Sequence, residues 1–157
     1  MLGLPLPVWF WLILSIAIAL MVNKTAFGKH IYAVGSNERA TRLAGINVKS
    51  VLIGVYLVAG ILVAIASILE ASRLGSMNSS SSGTGYEMDA IAATVIGGTA
   101  MAGGRGKVLG TTFGTLALGI INNLMNLMGV PAFLVGAIKG IIIIVAVLLQ
   151  KFMDNND

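Results

Sequence analysis

Side chains able to do chemistry are sparse in this sequence. Glu87 and Asp89 open a segment of small residues, Lys139 stands alone inside an apolar run, and His30 is the one histidine. Glu87 and Asp89 fall near the start of a short helix, where the helix dipole favours carboxylates, so both read either as capping residues or as contacts for a solute or an external partner. Lys139 reads in two ways. A charge inside an apolar span marks a pathway by default, yet this one lies only about seven residues, roughly 10 Å, from the outer end of its helix. A lysine stem can snorkel much of that distance. His30 sits in a polar loop and reads as an interfacial residue rather than a ligand.

No catalytic set emerges from these residues. Gly104-Arg105-Gly106-Lys107 imitates part of a phosphate loop, but position 101 is Met101 rather than glycine. Val108 stands where serine or threonine would hold magnesium, and no strand precedes the run. There is no cysteine, which excludes disulfides and thiolate chemistry. Neither a metal cluster nor a Ser-His-Asp set is present, so no catalytic, metal or cofactor site is expected.

What must position these groups is a set of apolar helices. The 157 residues are 57% hydrophobic and 10% charged, with a net charge of +4. A soluble domain carries about 25% charged residues, and one this small could not hide so much apolar surface in a single core. Lipid removes the difficulty. The expected fold is an all-α integral membrane protein, a single domain over 1–157 with four transmembrane helices and one short, broken or re-entrant helix.

The spans are expected at about 6–22, 50–69, 108–127 and 132–150, near the roughly 20 residues a bilayer requires. Pro5 and Pro7 suit the start of the first, and Trp9 and Trp11 suit an interfacial belt. Asn47 is a plausible cap for the second. The short helix, about 88–102, is rich in glycine and alanine and fits a segment packed inside protein. Gly106, Gly110 and Gly114 recur at every fourth position, and Gly136 and Gly140 repeat the interval. Such faces let helix backbones approach closely, in plain packing or in a dimer face or moving gate.

Orientation follows from the basic residues. Lys24, Lys29, Arg39, Arg42 and Lys49 share the loop 23–49 with one acid, Glu38, which marks it as cytoplasmic. The loop 70–87, including the low-complexity run Ser79-Ser80-Ser81-Ser82, is then external. If the short helix crosses most of the membrane, Arg105, Lys107, Lys151 and the C-terminus all return inside. A basic patch on a soluble scaffold, as nucleic-acid binding requires, is excluded.

Within the cytoplasmic loop lies a compact helical signal. Asn37 is placed to cap, with Glu38 in the first turn. Gly45 takes the C′ position with Ile46 after it, as in a Schellman stop. The helix between has about two turns and puts Ala40, Leu43 and Ala44 on one face. It is too short to be stable alone, so either a partner or the membrane surface holds it.

The segment from Phe27 to Gln150 resembles the C-terminal half of permeases from the ribose/galactose/xylose branch of ABC importers. The matching pieces are Gly28-Lys29-His30-Ile31-Tyr32-Ala33-Val34-Gly35-Ser36-Asn37, then Arg42-Leu43-Ala44-Gly45-Ile46-Asn47-Val48. Next come Gly83-Thr84-Gly85-Tyr86-Glu87-Met88-Asp89-Ala90-Ile91-Ala92-Ala93, and Gly97-Gly98-Thr99 with Gly103-Gly104-Arg105-Gly106. The first helix, with its Pro-Val-Trp start, also resembles the family. Near Val135 and Gly136 the family often carries polar or aromatic residues, which this chain lacks.

The resemblance implies a permease subunit in a bacterial plasma (inner) membrane, multi-pass, with a cytoplasmic C-terminus. Its short cytoplasmic helix would dock into an ATP-binding subunit, with Gly35, Asn37, Glu38, Ala40, Arg42, Leu43, Ala44 and Gly45 as the coupling residues. ATP hydrolysis would belong to that separate subunit. Glu87, Asp89 and Lys139 would border the translocation path or the docking face of an external, periplasmic solute-binding protein, with capping as the alternative for the two acids. The other partners implied are membrane lipid and a second permease chain or missing N-terminal half. A truncated or split fragment that assembles but does not transport alone is the main alternative, and a passive channel a remote one. Because the resemblance covers one half, and the topology puts Met1 outside, an upstream half is expected.

Overall fold

The computed structural model describes residues 5–75 and 82–154, and among these all regular structure is helical. Two compact units divide the chain, the first ending at Ser82 and the second starting at Gly83.

The first unit holds α1 (Leu6–Lys24), α2 (Ala26–Ser36), α3 (Glu38–Leu43) and α4 (Val48–Leu74). Proline supports the start of α1, and Lys24 ends it, a cation near the negative end of the dipole. Thr25 then serves both neighbours. Its hydroxyl donates to Met21 O at 2.6 Å and accepts from Gly28 N at 3.3 Å. The chain folds back so closely there that a Cβ on Gly28 would collide with the Val22 backbone. α2 packs on α4 through Phe27, whose ring lies where a side chain on Gly54 would be.

The segment read from sequence as a loop, 23–49, therefore contains a second helix. Nothing in α2 is long or apolar enough to mark it as a span, and its start is set by the Thr25 cap. α4 is longer than the expected 50–69. Its 27 residues run about 40 Å, against a hydrocarbon core of about 30 Å. The Asn47 cap is present: its Oδ1 accepts from Ser50 N at 3.2 Å. Gly75 closes the helix at φ +66°.

The second unit holds α5 (Tyr86–Ile96), α6 (Val108–Leu127) and α7 (Ala132–Asp154). α5 stops at Ile96, short of the expected 102. Gly98, at φ +79°, allows the stop: its N–H bonds to Val95 O and the Thr99 N–H to Thr94 O, both at 2.9 Å. With 11 residues α5 is about 16 Å long, half of a hydrocarbon core. A glycine-rich turn reverses the chain, and α6 runs back along α5.

Here the fourth-position glycines have their partners. A Cβ on Gly110 would strike Gly97 O, and one on Gly114 would strike Ala93 O. Ala92, Ala93 and Leu118 form the core of this unit, with Ile143 of α7 packed against it. Gly136 and Gly140 differ: added Cβ atoms there would meet nothing within 4 Å.

Large apolar side chains point outward along every long helix, among them Ile13, Ile53, Leu57, Ile61, Phe113, Ile120 and Ile141. No residue of α1 is buried. Among the described residues, α1, α4 and α6 are long and apolar enough to cross a membrane, and α7 carries the shorter apolar stretch Phe133–Leu148. The run Ser79-Ser80-Ser81 lies outside the described residues.

Candidate functional site

Two sites collect the residues singled out by sequence. The first is α3. Asn37 Oδ1 accepts from Ala40 N at 3.0 Å, and Glu38 and Arg42 pair across one turn at 2.7 Å. That pair is exposed and contributes about 0.5 kcal/mol at most. At the other end Gly45, at φ +82°, lets its own N–H reach Arg42 O and the Ile46 N–H reach Thr41 O. Both bonds of the Schellman stop are thus made.

The face that α3 turns inward is not the apolar one. Thr41 is buried, its hydroxyl bonded to Asn37 O at 2.8 Å. Ala40, Leu43 and Ala44 are all exposed, Leu43 at 89%. A leucine held outward by two caps, flanked by Arg39 and Arg42, is an apolar knob on a cationic short helix. Gly35 lies in the last turn of α2, directly before this element.

The second site joins α5 and α7. Asp89, in the first turn of α5, meets the Lys139 ammonium at 2.6 Å, with side-chain exposures of 30% and 16%. At that distance the two form a salt bridge between ammonium and carboxylate. Sequence reasoning gave Lys139 a choice between snorkelling and a path role, and did not foresee this carboxylate partner. Glu87, also in the first turn of α5, is exposed.

Beside the pair a cavity of 460 Å³ opens between α5, α6 and α7, lined among others by Thr84, Met88, Asn126, Gly136, Lys139 and Gly140. Asn126 was overlooked from sequence, as was Asn122 one turn before it. The Asn122 Oδ1 is buried and has no hydrogen-bond partner among the described residues. A lone buried amide oxygen costs about 1–3 kcal/mol. The available signal was three asparagines, Asn122, Asn123 and Asn126, within an apolar span.

Residues 4–147 match the family described as the branched-chain amino acid transport system / permease component. The chain belongs to this permease family. Within it, the permease is similar to ribose and xylose permeases. It is 48% identical over 150 residues to the ribose import permease protein RbsC of Escherichia coli, covering 96% of this chain and 46% of that relative. Against the ribose import permease protein of Bacillus subtilis the identity is 43% over the same shares. Against the xylose transport system permease protein XylH of Escherichia coli it is 44%, over 95% of this chain and 38% of the relative. The permease thus spans about half the length, or less, of the relatives it matches. No solved structure matches it. Family and apolar helices together make it a multi-pass protein of the bacterial inner membrane.

Proposed function

We propose that the chain is the C-terminal half of the membrane path of an ATP-driven importer for a pentose or related sugar. In this reading residues 1–157 act as one permease domain with four crossings, α1, α4, α6 and α7, and α5 as a half-helix. The loop containing α2 and α3 is cytoplasmic, and so is the C-terminus. α3 is the coupling element. Leu43 and Ala40 dock into an ATP-binding subunit, Arg42 and Glu38 stiffen the helix, and the Asn37 and Gly45 caps keep it folded. Asp89 and Lys139 border the path, and Glu87 lies on the external side. Hydrolysis of ATP belongs to the docked subunit, and an external solute-binding protein delivers the sugar.

The observation that carries the reading is α3 itself. It is capped at both ends, carries its apolar face outward and occurs in a chain similar to ribose import permeases. A helix of six residues gains little by displaying an 89% exposed leucine unless a partner covers it. A fragment that assembles without transporting alone is favoured by the share of its relatives that the chain spans.

Reconstitution in proteoliposomes tests both parts. The chain, its ATP-binding subunit and its binding protein are assembled with and without the upstream half. ATP-dependent uptake of D-ribose or D-xylose is expected only with that half. Uptake without it would make this chain a complete permease, and no uptake of either sugar in both preparations would overturn the sugar reading.

A further inference from the structure

We propose that the cavity between α5, α6 and α7 is a binding subsite for one neutral polyhydroxylated molecule of monosaccharide size. The inference rests on the sugar-importer reading and adds a discrete site to it. The cavity measures 460 Å³, within the roughly 300–1,000 Å³ typical of small-molecule sites. Val135, Ile143 and Met88 give it apolar walls, and a few polar groups interrupt them, the composition such sites share.

The polar groups suit hydroxyls. Lys139 brings three donors, Asn126 both a donor and an acceptor, and Thr84 a hydroxyl that does either. Asp89 adds acceptors through its contact with Lys139. One ion pair uses only part of their capacity, since an ammonium has three donors and a carboxylate about four acceptor sites, so both groups keep some for a ligand. A sugar hydroxyl donates and accepts at once, so it can bridge an ammonium and a carboxylate. The two charges cancel, which selects a neutral solute over an anion or a cation. Gly136 and Gly140 keep the third wall open: a Cβ on either meets nothing within 4 Å.

The chain has no cysteine, so single cysteines report on the cavity directly. Gly136→Cys is placed inside it, and Gly60→Cys, in α4, is the control, a position where an added Cβ likewise meets nothing within 4 Å. Each is assembled into the full importer in proteoliposomes and labelled with a small water-soluble methanethiosulfonate. D-ribose at ten times its half-saturating concentration should slow labelling at position 136 about tenfold and leave position 60 unchanged. An equal osmolarity of betaine should protect neither. Asn126→Leu in the Gly136→Cys background should raise the ribose concentration needed for protection on the order of tenfold, through loss of hydrogen bonds to the ligand. Labelling at 136 that ignores D-ribose, in a complex whose parent takes up D-ribose, overturns the subsite alone. Complete resistance to labelling overturns it too, because a helix or lipid then fills the cavity. Absence of ribose and xylose uptake by the parent complex removes the importer reading, and the subsite with it.

Discussion

The Lys139 ammonium lies 2.6 Å from the Asp89 carboxylate and ties α7 to the first turn of α5. Removing one partner leaves the other charge partly buried and unpaired beside the cavity, a loss on the order of 1–3 kcal/mol. Lys139→Met and Asp89→Asn should each lower the thermal stability of the assembled complex, and the double variant should recover most of the loss. Melting temperatures of the four proteins in nanodiscs form the cycle. Strictly additive losses would show that the two side chains do not act as a pair.

Gly114 and Gly119 belong to the same helix but meet different surroundings. A methyl at Gly114 runs into Ala93 O, whereas one at Gly119 meets nothing within 4 Å. Gly114→Ala should destabilise the permease by about 1–3 kcal/mol through overpacking. Gly119→Ala should be neutral or slightly stabilising, since alanine favours helix. Thermal melts followed by fluorescence-detected gel filtration compare them. Equal behaviour would mean that α6 slides freely along α5.

The exposed face of α3 predicts an uncoupling phenotype. Leu43→Asp and Ala40→Asp should leave the chain inserted and folded, because both side chains point away from it. Burying either aspartate in a docked interface is costly, so stimulation of ATPase by the loaded binding protein should fall at least about tenfold. Gly35→Pro should have the same effect by breaking the end of α2. Full stimulation in all three variants would move the coupling contact elsewhere.

Sidedness can be read with single cysteines. Ser36→Cys, at the end of α2, should be labelled only from the cytoplasm, and Ser80→Cys only from outside. Labelling of both from one face in oriented vesicles would reject the proposed topology.

How legible each element was depended on the range of the interactions that make it. Both ends of α3 and the start of α4 were readable, because Asn37, Gly45 and Asn47 act on backbone within a few residues of themselves. α6 was readable from its apolar length. α2 was not, since its helix depends on the Thr25 corner and on Phe27 packing over Gly54, and neither leaves a periodic trace. The spacing of Gly110 and Gly114 announced a close approach but could not say to what. Gly136 and Gly140 have the same spacing and, within their own unit, no such neighbour. The pairing of Asp89 with Lys139 is a tertiary event that no local pattern encodes.

Between the last residue of α3 and the first of α4 lie only Ala44, Gly45, Ile46 and Asn47, and their backbone is bonded at both ends. A longer, looser connector would absorb a displacement of α3 as heat and delay. This one is short and tied by hydrogen bonds to both helices, which leaves little slack between α3 and the start of α4, as between a crank and its shaft. Under the coupling role proposed for α3, lengthening the connector with a few glycines should introduce backlash: ATPase of the assembled complex would persist while uptake falls.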